Sequence, residues 1–155
     1  MIQRIQTVYL LLTTIMSVIF LNGHIINFAG GQKNVLDISS DGIIIVDNVD
    51  GPATLWILLL LTSLVLLILL ISLITVFFYR RRKIQLKLAG GLIILVCLLI
   101  LGSAFYYFFV TRQYAGEIRL GMNMLILPVM LLASYLAYRG IKKDEELVKS
   151  YDRLR

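Results

Sequence analysis

Four long apolar runs, separated by polar segments, dominate the pattern of the sequence. They cover residues 5–22, 53–79, 86–110 and 118–139. A helix needs about 20 predominantly apolar residues to cross a bilayer, and each run is close to that length or longer. The pattern therefore predicts an all-α membrane protein, a single domain over residues 1–155 that forms a bundle of four transmembrane helices.

The first apolar run follows a basic residue, Arg4. A cleaved signal peptide is therefore an alternative interpretation of this run. No small-residue cleavage pattern follows Leu21, and three further spans come later in the chain. We expect a retained helix.

The longest polar segment, residues 23–52, contains two short β-branched stretches, 35–38 and 43–46. Between them lies Asp41-Gly42, a dipeptide that is typical of tight hairpin turns. A structureless loop of this length is uncommon in a compact protein. The segment predicts a small extracytoplasmic β-hairpin between helices 1 and 2.

A dense basic turn separates the second and third runs. It consists of Arg80, Arg81, Arg82, Lys83 and Lys87. Short loops rich in Lys and Arg stay on the cytoplasmic side of a membrane, so this turn predicts cytoplasmic N- and C-termini. The same basic residues are candidates for binding anionic lipid head groups.

The distribution of the other basic residues along the chain agrees with this orientation. Only Lys33, Arg112 and Arg119 of the 15 Lys and Arg residues lie outside in this arrangement. The positive charge of the chain is therefore concentrated at one side of the predicted bundle.

The tail, residues 140–155, is predicted to be a charged helix that leaves the membrane and carries a narrow apolar edge. An edge of this kind indicates contact with the membrane surface or with a cytoplasmic partner. The candidate partner-binding residues of the tail are Leu147, Val148, Tyr151, Arg153 and Leu154. Asn123, in the fourth run, is a further candidate for contact with a partner subunit or a lipid head group.

Composition supports the membrane class and offers little reaction chemistry. Hydrophobic residues make up 59% of the chain, against about 45–50% in soluble domains. Cys97 and His24 are the only residues of their types, and we expect no metal site, no cofactor and no catalytic residue. The central parts of the spans lack charged residues, which argues against a proton-coupled pump. The net charge of +6 follows from topology, and we expect no nucleic-acid partner.

The two ends of the chain resemble those of a known family. The start, residues 1–12 (MIQRIQTVYLLL), and the end, residues 142–155 (KKDEELVKSYDRLR), are similar to those of the DUF4293 family of small four-span bacterial proteins of unknown function. The resemblance implies a location in the bacterial inner membrane and no known activity. It also implies that the cytoplasmic ends carry the recognisable residues.

Three functional hypotheses follow. The leading one is a non-catalytic accessory or scaffold subunit of a larger inner-membrane complex, which binds other membrane subunits and lipids through its helix faces, its outer hairpin and its tail. The second is an oligomeric transporter of small molecules or lipids, with a polar cavity near Asn123 and Pro128. The third is a membrane enzyme, with an outer-face site formed by Asp47, Asp50, Arg112, Glu117 and Arg119.

Overall fold

The computed structural model describes residues 3–22, 26–29, 35–39, 42–44, 52–78, 81–113, 117–120 and 122–153. The helices are α1 (Gln3–Leu21), α2 (Pro52–Phe77), α3 (Arg82–Gln113) and α4 (Ile126–Arg153), with a 3-10 helix at Met122–Leu125 before α4. The strands are β1 (Ile26–Ala29), β2 (Val35–Ser39), β3 (Gly42–Ile44) and β4 (Glu117–Leu120).

The four helices form an antiparallel ring. Each helix packs on its neighbours in sequence, and α1 also packs on α4. We call the end at which α1 and α3 begin the basic end, because the turn at Arg81 and Lys83 lies there. The opposite end, which carries the strands, is the sheet end.

A repeat of three and four residues specifies the core. The buried positions are Gln6, Leu10, Thr13, Ser17 and Phe20 in α1; Leu58, Leu61, Val65, Ile68, Ser72 and Thr75 in α2; Gln85, Ala89, Leu92, Val96, Leu99, Ser103 and Tyr106 in α3; and Leu127, Met130, Ala133, Ser134, Ala137 and Ile141 in α4. This spacing is the 3.5-residue repeat of helices that interdigitate in a left-handed bundle. The core is therefore one seam from each helix.

The helices reach unequal heights at the sheet end. Ser72 Oγ donates to the Leu10 carbonyl, so α1 ends at Leu21 about level with Leu61 of α2. From there α2 continues to Pro52, about 14 Å further at ~1.5 Å per residue. The α2–α3 pair therefore extends beyond the end of α1.

The α4 helix is equally short at this end. A Cβ on Gly90 would lie 3.7 Å from Tyr138 Cε2, so Ile126, the first residue of α4, is about level with Gly102 of α3. A Cβ on Gly102 would in turn lie 2.9 Å from Leu61 Cδ2, which shows that α1 and α4 stop at the same height. The α3 helix continues to Gln113, about 17 Å further.

The strands at the sheet end correct the predicted fold class. The separate two-stranded hairpin between the first two helices is not present. The strands of that connection belong to one four-stranded antiparallel sheet in the order β3-β2-β1-β4, in which Ile26 pairs with Leu120 and Ala29 with Glu117. A lone two-stranded hairpin is marginal in water. Here β4, from the connection between α3 and α4, pairs with β1, from the connection between α1 and α2, and so extends the sheet. The predicted four-helix bundle fits the structure.

The last helix also differs from its predicted bounds. Within the run 118–139, β4 and the 3-10 helix precede α4, which begins at Ile126. Pro128 lies in the first turn of α4, where its missing N–H leaves no helix bond unmade. At its C-terminal end α4 continues to Arg153. Residues 140–153 of the predicted tail therefore belong to the same helix as the last apolar run.

Two of the helices are long and apolar enough to cross a membrane. Among the described residues these are Trp56–Phe77 and Lys83–Phe109, and Gln6–Leu21 is a shorter apolar helix. Only 28% of the most apolar stretch of each long helix is buried inside the protein. Most of their apolar surface therefore faces outward.

Candidate interaction surfaces

The basic end collects positive charge from two parts of the chain. Arg81, Lys83 and Lys87 have exposed side chains at the start of α3, and α4 adds three further exposed basic residues. These are Arg139, Lys142 and Lys143. The predicted basic turn is therefore one part of a larger basic surface, to which α4 also contributes. Arg82 is the first residue of α3, the side chain of Arg82 is outside the described part, and Arg80 lies outside the described residues.

A buried amide joins the two ends of the chain at this surface. Gln6, which is 5% exposed, donates from Nε2 to Oδ2 of the half-buried Asp144, at 2.5 Å. Its Cγ also lies against Gly140, where an added Cβ would approach to 2.9 Å. The sequence reasoning did not single out Gln6 or the buried Gln85, although both continue the three-and-four spacing of the core.

The predicted partner-binding edge of the tail is described only in part. Leu147 is exposed on α4. Val148, Tyr151 and Arg153 belong to the same helix, but their side chains are outside the described part, and Leu154 lies outside the described residues. The partner contact of this edge stays a prediction.

Asn123 lies in the 3-10 helix before α4, where the sequence pattern predicted the interior of a span. Its side chain is outside the described part, so its contact with a partner or a lipid stays a prediction. Pro128, placed beside it in the transport hypothesis, has an exposed side chain.

The residues of the enzyme hypothesis are scattered between described and undescribed segments. Glu117 and Arg119 lie on β4, opposite Ala29 and Asn27 of β1. Arg112 is exposed near the end of α3. Asp47 and Asp50 lie outside the described residues, so convergence of these groups stays untested. In the described part of the chain no three His, Cys, Asp or Glu residues are grouped closely enough to hold a metal ion.

The buried polar side chains of the described bundle are neutral. Most of their hydroxyls donate to a carbonyl of their own helix, as Thr75 does to Ile71 and Ser134 to Leu131. Such bonds satisfy a hydroxyl without a partner helix. In contrast, Ser72 Oγ bridges two helices. It donates to the Leu10 carbonyl at 2.8 Å and lies 2.9 Å from Thr14 Oγ1.

The outward faces of all four helices are apolar. Large exposed side chains include Val8 and Ile15 on α1, Leu66 on α2, Leu98 on α3 and Leu132 on α4. Soluble monomers rarely expose apolar surface on this scale. The described helices therefore carry apolar surface on the outside of the bundle at mid-height.

Comparison with known protein families gives a match over nearly the whole chain. A family model described as "Domain of unknown function (DUF4293)" matches residues 2–154. No curated protein and no solved structure matches the chain.

Proposed function

The chain belongs to the DUF4293 family, and we propose that it is a non-catalytic accessory or scaffold subunit of a bacterial inner-membrane complex. In this proposal it crosses the membrane four times, with both termini in the cytoplasm. The observation that carries the proposal is the apolar exterior around a complete core. A core helix of a soluble protein is mostly buried, whereas α2 and α3 expose most of their apolar surface.

The length of α2 supports a bilayer as the surrounding medium. Trp56 and Phe77 are both highly exposed, and the helix between them spans about 31 Å at ~1.5 Å per residue. The hydrocarbon core of a bilayer is about 30 Å thick, and aromatic side chains favour its two boundaries. These two rings fit the two boundaries of one membrane.

The ring of helices extends this argument to α1 and α4. Both pack along the same bundle and expose apolar side chains at mid-height, such as Ile15 and Leu132. Helices that pack beside two membrane-spanning helices share their medium. The exposed basic side chains of α3 and α4 at one end of the bundle favour the cytoplasm for that end. Because α1 begins and α4 ends there, this arrangement also places both termini in the cytoplasm.

The partner role rests on the projection of α4. Gly140 lies against Gln6, so Gln3, the first residue of α1, is about level with Lys143. From Lys143, α4 continues to Arg153, about 15 Å further. By the contact between Tyr138 and the position of Gly90, α3 begins about level with Glu146, so it runs beside only the first turn of this part. No described helix runs beside residues 147–153. A rigid helix with an exposed Leu147 is suited to binding a cytoplasmic protein.

Reporter fusions test the topology. A reporter active only in the cytoplasm is fused after Arg155 or inserted between Asp41 and Gly42. We expect activity from the first fusion and silence from the second. The reverse pattern, or activity from both, contradicts the proposed membrane arrangement.

Crosslinking in native membranes tests the partner role. The full chain is compared with a chain that lacks residues 147–155 but keeps Asp144, and with a control that carries Arg112→Gln at the other end. We expect one reproducible crosslinked protein with the full chain and the control, and its loss from the shortened chain. A product equally abundant in all three, or none in any, contradicts partner binding by the tail.

A further inference from the structure

We propose that β4 pairs with β4 of a second copy of this chain in the same membrane, so that two four-stranded sheets join into one. The inference rests on the proposed location in a membrane, and it names a partner for the sheet end, which is the chain itself. Among the described strands, β4 is last in the order β3-β2-β1-β4 and has a neighbour on one side only. We call the side of β4 opposite β1 the open edge.

The open edge offers backbone groups to another strand. The four residues of β4 form a continuous ladder with β1, in which Glu117 pairs with Ala29 and Leu120 with Ile26. In an antiparallel sheet the N–H and C=O groups of successive residues point alternately to the two neighbours. Two of the four residues therefore direct theirs away from β1, and such a row is a template for a further strand.

The sequence of β4, Glu117-Ile118-Arg119-Leu120, is complementary to itself in one antiparallel register. When Ile118 lies opposite Ile118 of the second copy, each Glu117 position lies opposite an Arg119 position. Opposite charges at directly opposed positions stabilise a strand pair, and like charges destabilise it. A register centred on Arg119 opposes like charges, and one with Ile118 opposite Arg119 makes no charge pair. Charge therefore selects the register centred on Ile118.

The charges of β4 have no counterpart across the described ladder. Glu117 pairs with Ala29 and Arg119 with Asn27, both uncharged. Charged residues on an edge strand usually discourage pairing with other chains. In the register centred on Ile118 the same two residues favour one partner, a second β4, over strands of other sequence.

The faces of the sheet indicate how it lies on the membrane. Directly opposed residues share a face, and successive residues of a strand alternate between faces, so the observed registers assign each strand position to a face. One face, which we call the apolar face, consists of Ile26, Phe28, Leu36, Ile38, Ile43, Ile118 and Leu120. The other face includes all the polar residues of the strands, which are Asn27, Asp37, Ser39, Glu117 and Arg119.

A sheet with one apolar face covers that face and leaves the other in water. At the end of a membrane bundle the two available covers are the helix ends and the lipid surface, and both lie on the membrane side. The sheet therefore lies parallel to the membrane, with its polar face toward water. Its open edge then points along the membrane plane, toward other copies.

Strand pairing and the membrane require the same symmetry. Two copies that share one orientation in a membrane are related by a two-fold axis along the membrane normal. The two-fold axis of an antiparallel strand pair is perpendicular to the sheet. For a sheet that lies parallel to the membrane these axes coincide. The contact uses the same edge on both copies and is complete in a dimer.

Charge reversal tests the pairing. Full chains with donor or acceptor fluorescent proteins after Arg155 are reconstituted at low density, and energy transfer measures self-association. We expect Glu117→Arg alone and Arg119→Glu alone to weaken self-association at least about four-fold, because both charge pairs of the dimer become like-charged. A mixture of the two single variants should recover it, since the opposed positions again differ in charge. Asp37→Arg is the matched control on the same face of an interior strand and should behave as the parent.

Three outcomes overturn the inference: a monomeric parent, equal association in the parent and both single variants, or no recovery in the mixture. Alkaline extraction of the same vesicles separates this failure from that of the membrane location. A monomer that resists extraction overturns the pairing alone. A chain that is extracted overturns the proposed membrane location, on which the pairing depends.

Cysteine crosslinking in native membranes tests the register. In a Cys97→Ser background, Ile118→Cys places two thiols at directly opposed positions. Leu120→Cys, on the same face of β4, places them about 14 Å apart along the strands, beyond the reach of a disulfide. On oxidation we expect a product of twice the chain mass from Ile118→Cys and none from Leu120→Cys. Equal products from both variants, or a product of Ile118→Cys with a different protein, overturn the inference.

Discussion

The side-chain amide of Gln6 donates a 2.5 Å hydrogen bond to the Asp144 carboxylate, 138 positions later in the chain. The bond closes the helix ring between α1 and α4 at the basic end. Its two residues come from the two terminal segments on which the family resemblance was based. A structural role in ring closure therefore accounts for part of that resemblance without a partner.

Asp144→Ala should destabilise the protein by about 1–3 kcal/mol, because the buried amide of Gln6 loses its acceptor. The free energy of unfolding, measured in detergent micelles or bicelles, checks this. Glu146→Ala is the matched control on the exposed side of the same turn, with an expected change within about 0.5 kcal/mol.

The double variant Gln6→Leu/Asp144→Leu separates the bond from the burial of its partners. Replacing both groups by apolar ones removes the unpaired amide, so the double variant should lose less stability than Asp144→Ala alone. A loss of stability equal to the sum of the losses in Gln6→Leu and in Asp144→Leu would mean that Gln6 and Asp144 act independently.

Gly140→Ala should also weaken the contact between α1 and α4. The added Cβ would lie 2.9 Å from Gln6 Cγ, and this atom is held in a buried side chain. Overpacking costs about 1–3 kcal/mol, and the better helix propensity of Ala returns up to about 1 kcal/mol. With the full propensity gain subtracted, we expect a net loss of about 0–2 kcal/mol in the free energy of unfolding.

Gly91→Ala is the control for this substitution. A Cβ at Gly91 would meet nothing within 4 Å, so only the propensity effect remains, and the protein should be unchanged or slightly more stable. Equal losses in Gly140→Ala and Gly91→Ala would show that the packing of Gly140 on Gln6 contributes nothing.

The number of helices was predictable because each apolar run is long and each connection between runs is polar. The start of α4 was not predictable, because residues 118–139 form one mostly apolar run. Its few polar residues, such as Arg119 and Asn123, do not mark where β4 and the 3-10 helix end. The partner strand of β4 is β1, about 90 positions away. No local pattern signals a pairing of that range, since strand formation depends on its neighbours.

The inward faces of α2 and α3 were equally hard to predict. Both helices are apolar on every side, so hydrophobicity does not distinguish core from exterior. Most of the polar residues carry that information: Ser72 and Thr75 in α2 and Gln85 and Ser103 in α3 fall on the buried seam, although Ser63 of α2 is exposed. In an apolar medium the interior is marked by small and polar residues rather than by large apolar ones.

Ser72→Ala should weaken the packing of α1 on α2 and lower the free energy of unfolding slightly. The hydroxyl bridges Leu10 and Thr14 of α1, and interhelical bonds of this kind contribute about 0.6 kcal/mol on average. Ser63→Ala is the control, because Ser63 is exposed and donates only to Leu60 of its own helix. Unfolding in bicelles should show a loss for Ser72→Ala and no resolvable change for Ser63→Ala; the opposite order would contradict the bridge.

Cys97 provides a test of the membrane location without any added probe. Its side chain is exposed on the outside of α3, near mid-height of the bundle and level with the exposed Leu66 and Leu132 of the neighbouring helices. A charged maleimide cannot enter hydrocarbon at appreciable concentration, because burying an unpaired charge is strongly unfavourable. In intact vesicles Cys97 should therefore resist a charged maleimide and react with a small apolar one.

Leu147→Cys in a Cys97→Ser background is the matched control, since Leu147 is exposed on the projecting part of α4. In vesicles whose cytoplasmic side faces outward, this thiol should react with the charged maleimide as fast as a free thiol. Because both cysteines have exposed side chains, a difference in labelling reports on the medium and not on burial in the protein. Rapid labelling of Cys97 by the charged reagent would mean that water surrounds the middle of the bundle, and the membrane location would be wrong.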